Sequence, residues 1–224
     1  MALLLNIDTS QQHASVCLAE NESAIEVLNN TTQKDHASWL LIAIRDLFRN
    51  NNLTLKDLDA VAVTGGPGSY TGLRVGMASA KGLCFALNIP LIVINTLKMM
   101  AFAAKNEPAD LLCPMIDARR MEVFTALYDK SLKEIMPSIN KILDSDSFSQ
   151  YLENNKICFF GDGSTKFQAL TTHKHAQFKS IEVTATHMVI LSYSDFKEQK
   201  FADLAYSEPE YGKDFYTPPV KQSI

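Results

Sequence analysis

The sequence predicts an α/β fold built as two related lobes. Three observations carry that prediction. Three short apolar runs joined by polar turns open the chain, a glycine-rich turn joins a strand to a helix at residues 61–76, and a second series of strands followed by helices begins at Leu111. The 224 residues are 46% hydrophobic, enough to bury a sizeable core. The break near Asn106-Glu107-Pro108 divides the chain into an N-terminal lobe, 1–106, and a C-terminal lobe, 107–224.

The elements follow in order. Leu3 to Ser10, Ala14 to Ala19 and Ala24 to Thr32 read as consecutive strands, separated by Gln11-Gln12-His13 and by Glu20 to Ser23, an antiparallel meander. Leu40, Leu41, Ile44, Leu47 and Phe48 recur at three- and four-residue spacing, which predicts a helix from about Asp35 to Asn50. Thr54-Leu55-Lys56-Asp57 has the spacing of a capping box, with Asp in place of Glu. Ala60 to Thr64 is the strand entering the glycine turn, and a helix capped by Thr71 runs to about Leu87. A strand at Leu91 to Ile94 and a short helix from Thr96 complete the first lobe. In the second, Leu112 to Ile116, Glu122 to Tyr128 and Glu134 to Leu143 are strands, Ser147 to Leu152 a helix, Ile157 to Phe160 a strand and Thr186 to Glu198 a helix.

Bulk properties exclude several classes. A net charge of −4 is not the basic footprint of a protein that holds nucleic acid by itself. Cys17, Cys84, Cys113 and Cys158 lie in apolar runs without C-x-x-C spacing, as buried reduced thiols do. The N-terminus enters a strand with no basic start or cleavage site, so the expected location is cytoplasmic. His173-Lys174-His175 sits in a polar stretch that reads as a surface loop, and no spacing suits a metal.

The turn Gly65 to Gly68, followed by Thr71, aims backbone N–H groups at the start of a helix, an anion site in principle and a plain strand-to-helix turn in the alternative. It is not an ATPase P-loop, since Arg74 follows Gly72-Leu73 where Gly-Lys-Ser/Thr is required, nor is it G-x-G-x-x-G. The run Gly66-Pro67-Gly68-Ser69-Tyr70-Thr71-Gly72-Leu73-Arg74-Val75-Gly76 closely resembles the signature of the TsaB (YeaZ) family of tRNA threonylcarbamoyladenosine biosynthesis proteins, with Tyr70 where many members have Phe. The resemblance extends to Leu5-Asn6-Ile7-Asp8-Thr9-Ser10, Ile116-Asp117-Ala118-Arg119, Glu122-Val123-Phe124, Gly161-Asp162-Gly163 and Glu208-Pro209-Glu210-Tyr211. After Tyr211 the tail Gly212-Lys213-Asp214-Phe215-Tyr216 departs from the usual Tyr-Leu-Arg form.

That resemblance implies an actin-like, sugar-kinase-like ATPase (ASKHA) fold with a shortened C-terminal lobe. It implies a non-catalytic subunit that supports a TsaD-type transferase in N6-threonylcarbamoyladenosine (t6A37) modification of ANN-decoding tRNAs, with a TsaE-type ATPase in the complex and tRNA contacted through that complex. A homodimer is the alternative pairing when the partner is absent. This chain requires no cofactor of its own on that reading; ATP and a metal belong to its partners. The family pairs through the two N-terminal-lobe helices, which nominates Trp39 and the small residues Gly72, Gly76, Ser79 and Ala80 as a partner-binding face. The groove they make is otherwise filled within the fold.

Asp8-Thr9-Ser10 stands where actin-like ATPases keep groups near nucleotide phosphate; the same residues also close turns through their side chains. Asp117 and Glu122, with Arg119 and Arg120 between them, read as an acid pair beside a cation or as a charge-paired hairpin. Alignment of residues 88–93 on the corresponding strand of the transferase puts Thr96 and Met100 where that relative carries its metal-binding histidines. A hydroxyl and a thioether do not replace two imidazoles. An independent ATPase or kinase is the rival reading, and a glycoprotease, without H-E-x-x-H or G-x-S-x-G, a weaker one.

Overall fold

The computed structural model describes residues 1–30 and 36–212, so Asp35, the end of the third expected strand and the tail from Lys213 lie outside the described residues. Strands β1 (Leu3–Asp8), β2 (Ala14–Glu20) and β3 (Ser23–Asn30) form the expected meander. Helix α1 (His36–Asn50), strand β4 (Ala60–Gly66), helix α2 (Tyr70–Leu87), strand β5 (Leu91–Asn95) and helix α3 (Thr96–Ala103) complete the first series. The sheet runs β3-β2-β1-β4-β5, antiparallel through the meander and parallel from β1 to β5. The capping box forms before a short 3-10 turn: the Thr54 N–H and hydroxyl donate to Asp57 Oδ2 at 2.7 and 2.8 Å.

The second series repeats the plan. Strands β6 (Leu111–Asp117), β7 (Glu122–Asp129) and β8 (Glu134–Ile142) are followed by helix α4 (Ser149–Leu152), strand β9 (Ile157–Phe160), helix α5 (Ser164–Gln168), strand β10 (Ala176–Lys179) and helix α6 (Val189–Lys197). The sheet order is β8-β7-β6-β9-β10, with the same antiparallel and parallel pairings as the first. Sequence pattern missed α5 and β10. They span five and four residues, too short for a period to show, and β10 follows the polar histidine stretch. The expected helix at 186–198 begins instead as a 3-10 turn over Ala185–Met188.

The central strands of both sheets are buried on both faces, as their near-continuous apolar runs require, while the edge strands β3 and β8 are largely exposed. Leu5, Ile7, Val61 and Val63 face α1 and α2, while Leu4, Ala60 and Ala62 face the other way. Helix α3 lies between the sheets, Met99 packing with the first and Leu97, Met100 and Ala101 with the second. On the far side of the second sheet Phe148, Phe159, Phe167 and Phe178 make a cluster with ring centroids 4.9–6.1 Å apart. The chain then returns to the first sheet: Ala185, Met188 and Val189 join its core, and buried Ser192 donates to Asn6 Oδ1 at 2.6 Å. All four cysteines are buried and free, and burial raises their thiol pKa values, to about 12 for Cys17 and about 11 for Cys84 and Cys158.

Candidate functional site

The nominated residues fall at two places, around the cleft between the lobes and on α1 and α2. Asp8, Thr9 and Ser10 are fully buried at the end of β1. Asp8 Oδ1 accepts from the Ser10 N–H at 2.9 Å, the Ser10 hydroxyl at 2.6 Å and the Thr64 hydroxyl at 3.0 Å, while the Thr9 hydroxyl donates to the Gly72 carbonyl at 2.7 Å. These contacts are those of a closed turn. They knit β1 to the start of α2.

The glycine turn packs onto the chain itself. Gly66 has φ +116°, open to glycine and strained for any other residue, and a Cβ there would overlap the backbone of Glu210. Gly68 and Gly72 abut the carbonyls of Ser10 and Thr9, and Ser69 N–H donates to the Ser10 carbonyl at 2.7 Å. The cap of α2 is Ser69, whose hydroxyl accepts from Gly72 N–H at 3.3 Å, and not Thr71; the helix begins two residues earlier than a Thr71 cap would place it.

Ser69, Tyr70 and Thr71 form one wall of a cleft of about 890 Å³ whose opposite wall carries Asp117, Ala118, Arg119, Phe124 and Asp162. Arg119 and Arg120 turn at φ +70° and +49°, and the Asp117 carboxylate accepts the Arg119 N–H at 2.6 Å. The same oxygen meets Lys166 Nζ at 2.7 Å. Partial burial raises the Asp117 pKa, but Lys166 and the Arg119 N–H outweigh it and hold the group below the usual carboxylate range. Glu122 instead accepts from Asn140 Nδ2 at 2.8 Å. Asp117 thus takes its ion pair from Lys166 of α5, and Glu122 a hydrogen bond from Asn140 of β8, both from outside the turn that carries Arg119 and Arg120.

The small-residue face nominated on α2 needs correction. Gly72, Gly76 and Ala80 are buried against β4 and the turn after β1, where a Cβ on Gly76 would overlap Thr9 Oγ1. The groove at that stripe is filled from within the fold. Ser79 and Trp39 are half-buried, and Trp39 packs on the first-lobe core. The stripe of small residues that does face outward lies a fraction of a turn away: Ala78, Gly82 and Ala86 are exposed, and Gly82 has open space where a Cβ would be. On the same helix Phe85 is 82% exposed, and on the neighbouring α1 Leu41 is 59% and Ile42 49% exposed. Spacing alone shows that α2 has two such stripes, and only packing shows which one the sheet takes.

Thr96 opens α3 and Met100 is fully buried one turn on, its methyl close to Gly161. They offer no ligand pair for a divalent metal. Among the described residues no group of three or more His, Cys, Asp or Glu side chains is arranged to hold one. Among the same residues no helix is long and apolar enough to cross a membrane.

Two duplicated lobes around a cleft, with a glycine turn at its wall, define an actin-like α/β protein. The activator of 2-hydroxyisocaproyl-CoA dehydratase from Clostridium difficile, solved with bound ADPNP, shares that fold: TM-score 0.53 at 8% identity, over 88% of this chain and 97% of that one. A Pseudomonas aeruginosa structure described as an uncharacterized protein with similarity to peptidase YEAZ matches at TM-score 0.82 and 23% identity, over 95% and 100%. The model of the TsaD, tRNA N6-adenosine threonylcarbamoyltransferase, family matches residues 18–215, and the chain belongs to this family, on its TsaB (YeaZ) branch. It is 28% identical over 214 residues to the tRNA threonylcarbamoyladenosine biosynthesis protein TsaB of Bacillus subtilis, 93% of each chain. To the Escherichia coli protein of the same name it is 33% identical over 128 residues, 57% of this chain and 55% of that one.

Proposed function

We propose that this chain is a non-catalytic subunit that binds and positions a TsaD-type transferase for t6A37 modification of ANN-decoding tRNA. Its place in t6A biosynthesis follows its family. The observation that carries the finer reading is the outer face of α1 and α2: three large apolar side chains, Leu41, Ile42 and Phe85, stand exposed around the small stripe Ala78, Gly82 and Ala86. Small residues let a second helix approach closely, and exposed apolar side chains at its edge supply the contact area. The self-occupied glycine turn, the closed Asp8 turn and the Thr96/Met100 pair support the absence of chemistry on this chain. A TsaE-type ATPase and tRNA join through the complex, ATP and the metal act on the partners, the location is cytoplasmic, and a homodimer through the same face forms when the transferase is absent.

The test is tRNA modification in a mixture of transferase, ATPase, threonylcarbamoyl-adenylate and tRNA, with and without this chain. Dependence on the chain that is lost in the Phe85→Asp variant supports the reading; indifference to the chain overturns it. The cleft favours one rival, a nucleotide-dependent activity of the isolated chain. Calorimetric titration with ATP and magnesium decides it: tight binding would revive the rival, and its absence leaves the scaffold reading in place.

A further inference from the structure

The last described stretch, residues 198–212, has no regular secondary structure beyond one bridge, yet it is fastened along its length to the glycine turn and to one flank of α2. Ala202 N–H donates to the Leu91 carbonyl at the free edge of β5, at 2.8 Å. Lys81 Nζ donates to the carbonyls of Ala205 and Ser207 at 3.2 and 2.9 Å. Glu210 N–H donates to the Gly65 carbonyl at 2.7 Å, with its backbone seated against Gly66. Arg74 then closes the far end. Its guanidinium carbon lies 4.1 Å from the centre of the Tyr70 ring, its Nε donates to the Tyr211 hydroxyl at 2.9 Å, and the two tyrosine rings are 4.8 Å apart. One residue later, Gly212, at φ +66°, rests on Phe124 of β7 and on Pro67.

The path has a direction. It leaves the edge of the first sheet, crosses α2 from Lys81 back to Tyr70, passes over the glycine turn and ends on the second lobe. Tyr70, Arg74 and Lys81 share one side of α2, separated by four and seven residues. A segment held by separate single contacts, most of them exposed, is stable only if its ends are pinned, because each contact by itself is easily exchanged for water. The pin at the far end is Arg74, the one cation of the glycine motif and a residue the cleft does not use.

We propose that residues 202–212 form an intramolecular clamp with Arg74 as its positioning residue, holding the glycine turn and α2 against the second lobe and so restraining the interlobe cleft. The planar guanidinium suits the place, since it stacks on one tyrosine while donating to the other. The clamp gives Gly66 a role: it seats the clamp backbone. It also joins the flank of α2 to β7 as one mechanical unit.

The test is hydrogen exchange by mass spectrometry on the full chain and on the Arg74→Ala, Tyr211→Ala and doubly substituted variants. Loss of a stacked cation and its hydrogen bond is expected to speed exchange across 202–212 by about tenfold in each single variant, with no further gain in the double, as for two residues acting as a unit. Exchange in the cleft loops 66–72 and 117–122 rises with it, while β1 and β4 stay protected. Unchanged exchange in 202–212, or additive effects, overturns the proposal. So does faster exchange in 202–212 with the cleft loops unmoved, which would make the segment an ordinary surface tail. If Tyr211→Ala fails to fold, Tyr211→Phe removes only the hydroxyl acceptor, and Arg74→Lys, which keeps charge but not the Nε donor, is expected to fall between wild type and Arg74→Ala.

Discussion

Single residues in this chain are constrained most tightly where backbone meets backbone. Gly72 abuts the Thr9 carbonyl, and a β-carbon there would overlap that main chain. Gly72→Ala is therefore expected to cost about 3 kcal/mol, the upper range for overpacking, as a drop in the urea midpoint. Ser69→Ala removes a helix cap and should cost about 1 kcal/mol, whereas Thr71→Ala, at an exposed site, should be nearly neutral. His187 carries a pH signature. Burial lowers its pKa from 6.5, against the opposing effects of a hydrogen bond to Thr184 and the charges of Glu182 and Asp8. Because the folded value lies below the unfolded one, the stabilisation is complete above the unfolded pKa and is lost as pH falls through it toward the folded value. The melting temperature should therefore decline between about pH 7 and pH 5, and His187→Asn should flatten that decline.

At the scale of elements, α2 shows how far a sequence can be read. Its existence and length follow from apolar spacing and from the glycine turn before it, and its C-terminal cap, Asn88, sits in the left-handed region at φ 53° as asparagine tolerates. Which of its two small stripes faces the sheet is a different matter. Both Gly72, Gly76, Ala80 and Ala78, Gly82, Ala86 repeat every fourth residue, and the choice is made by the turn after β1, which needs the first stripe in order to approach. The exposed stripe and its apolar neighbours give a clean prediction. Phe85→Asp should change stability by no more than about 0.5 kcal/mol, since the side chain is 82% exposed, yet weaken binding of the transferase roughly a hundredfold in titration calorimetry. Gly76, nominated from the same spacing, is unsuitable for that experiment because it is a packing residue.

For the whole molecule, the repeated order β3-β2-β1-β4-β5 and β8-β7-β6-β9-β10 is the central fact. Each lobe leaves an apolar sheet face that cannot be covered within its own meander, and helix α3 between them packs on both. Residues 185–204 return to the first sheet, so segments from both series help build the same lobe. Breaking the tie at Asn6 should expose this: Ser192→Ala leaves a buried amide oxygen without that donor and is expected to cost about 1–3 kcal/mol of thermal stability.

The sequence by itself determined the α/β class, the two series, most strand and helix positions and the family, because period-two and helical alternation, turn chemistry and a long motif are local signals. It left α5 and β10 invisible, since elements of five and four residues are defined by their neighbours rather than by a period. The turn at Asp8 and the segment at Asp117 were each legible only as alternatives, and their partners Thr64, Lys166 and Asn140 lie on distant elements that spacing does not reveal. Only the tertiary structure decided which face of α2 is open and what fills the glycine turn. Both depend on contacts between segments more than 60 residues apart, Thr9 with Gly72 and Glu210 with Gly65, and contacts of that range leave no periodic mark on the chain.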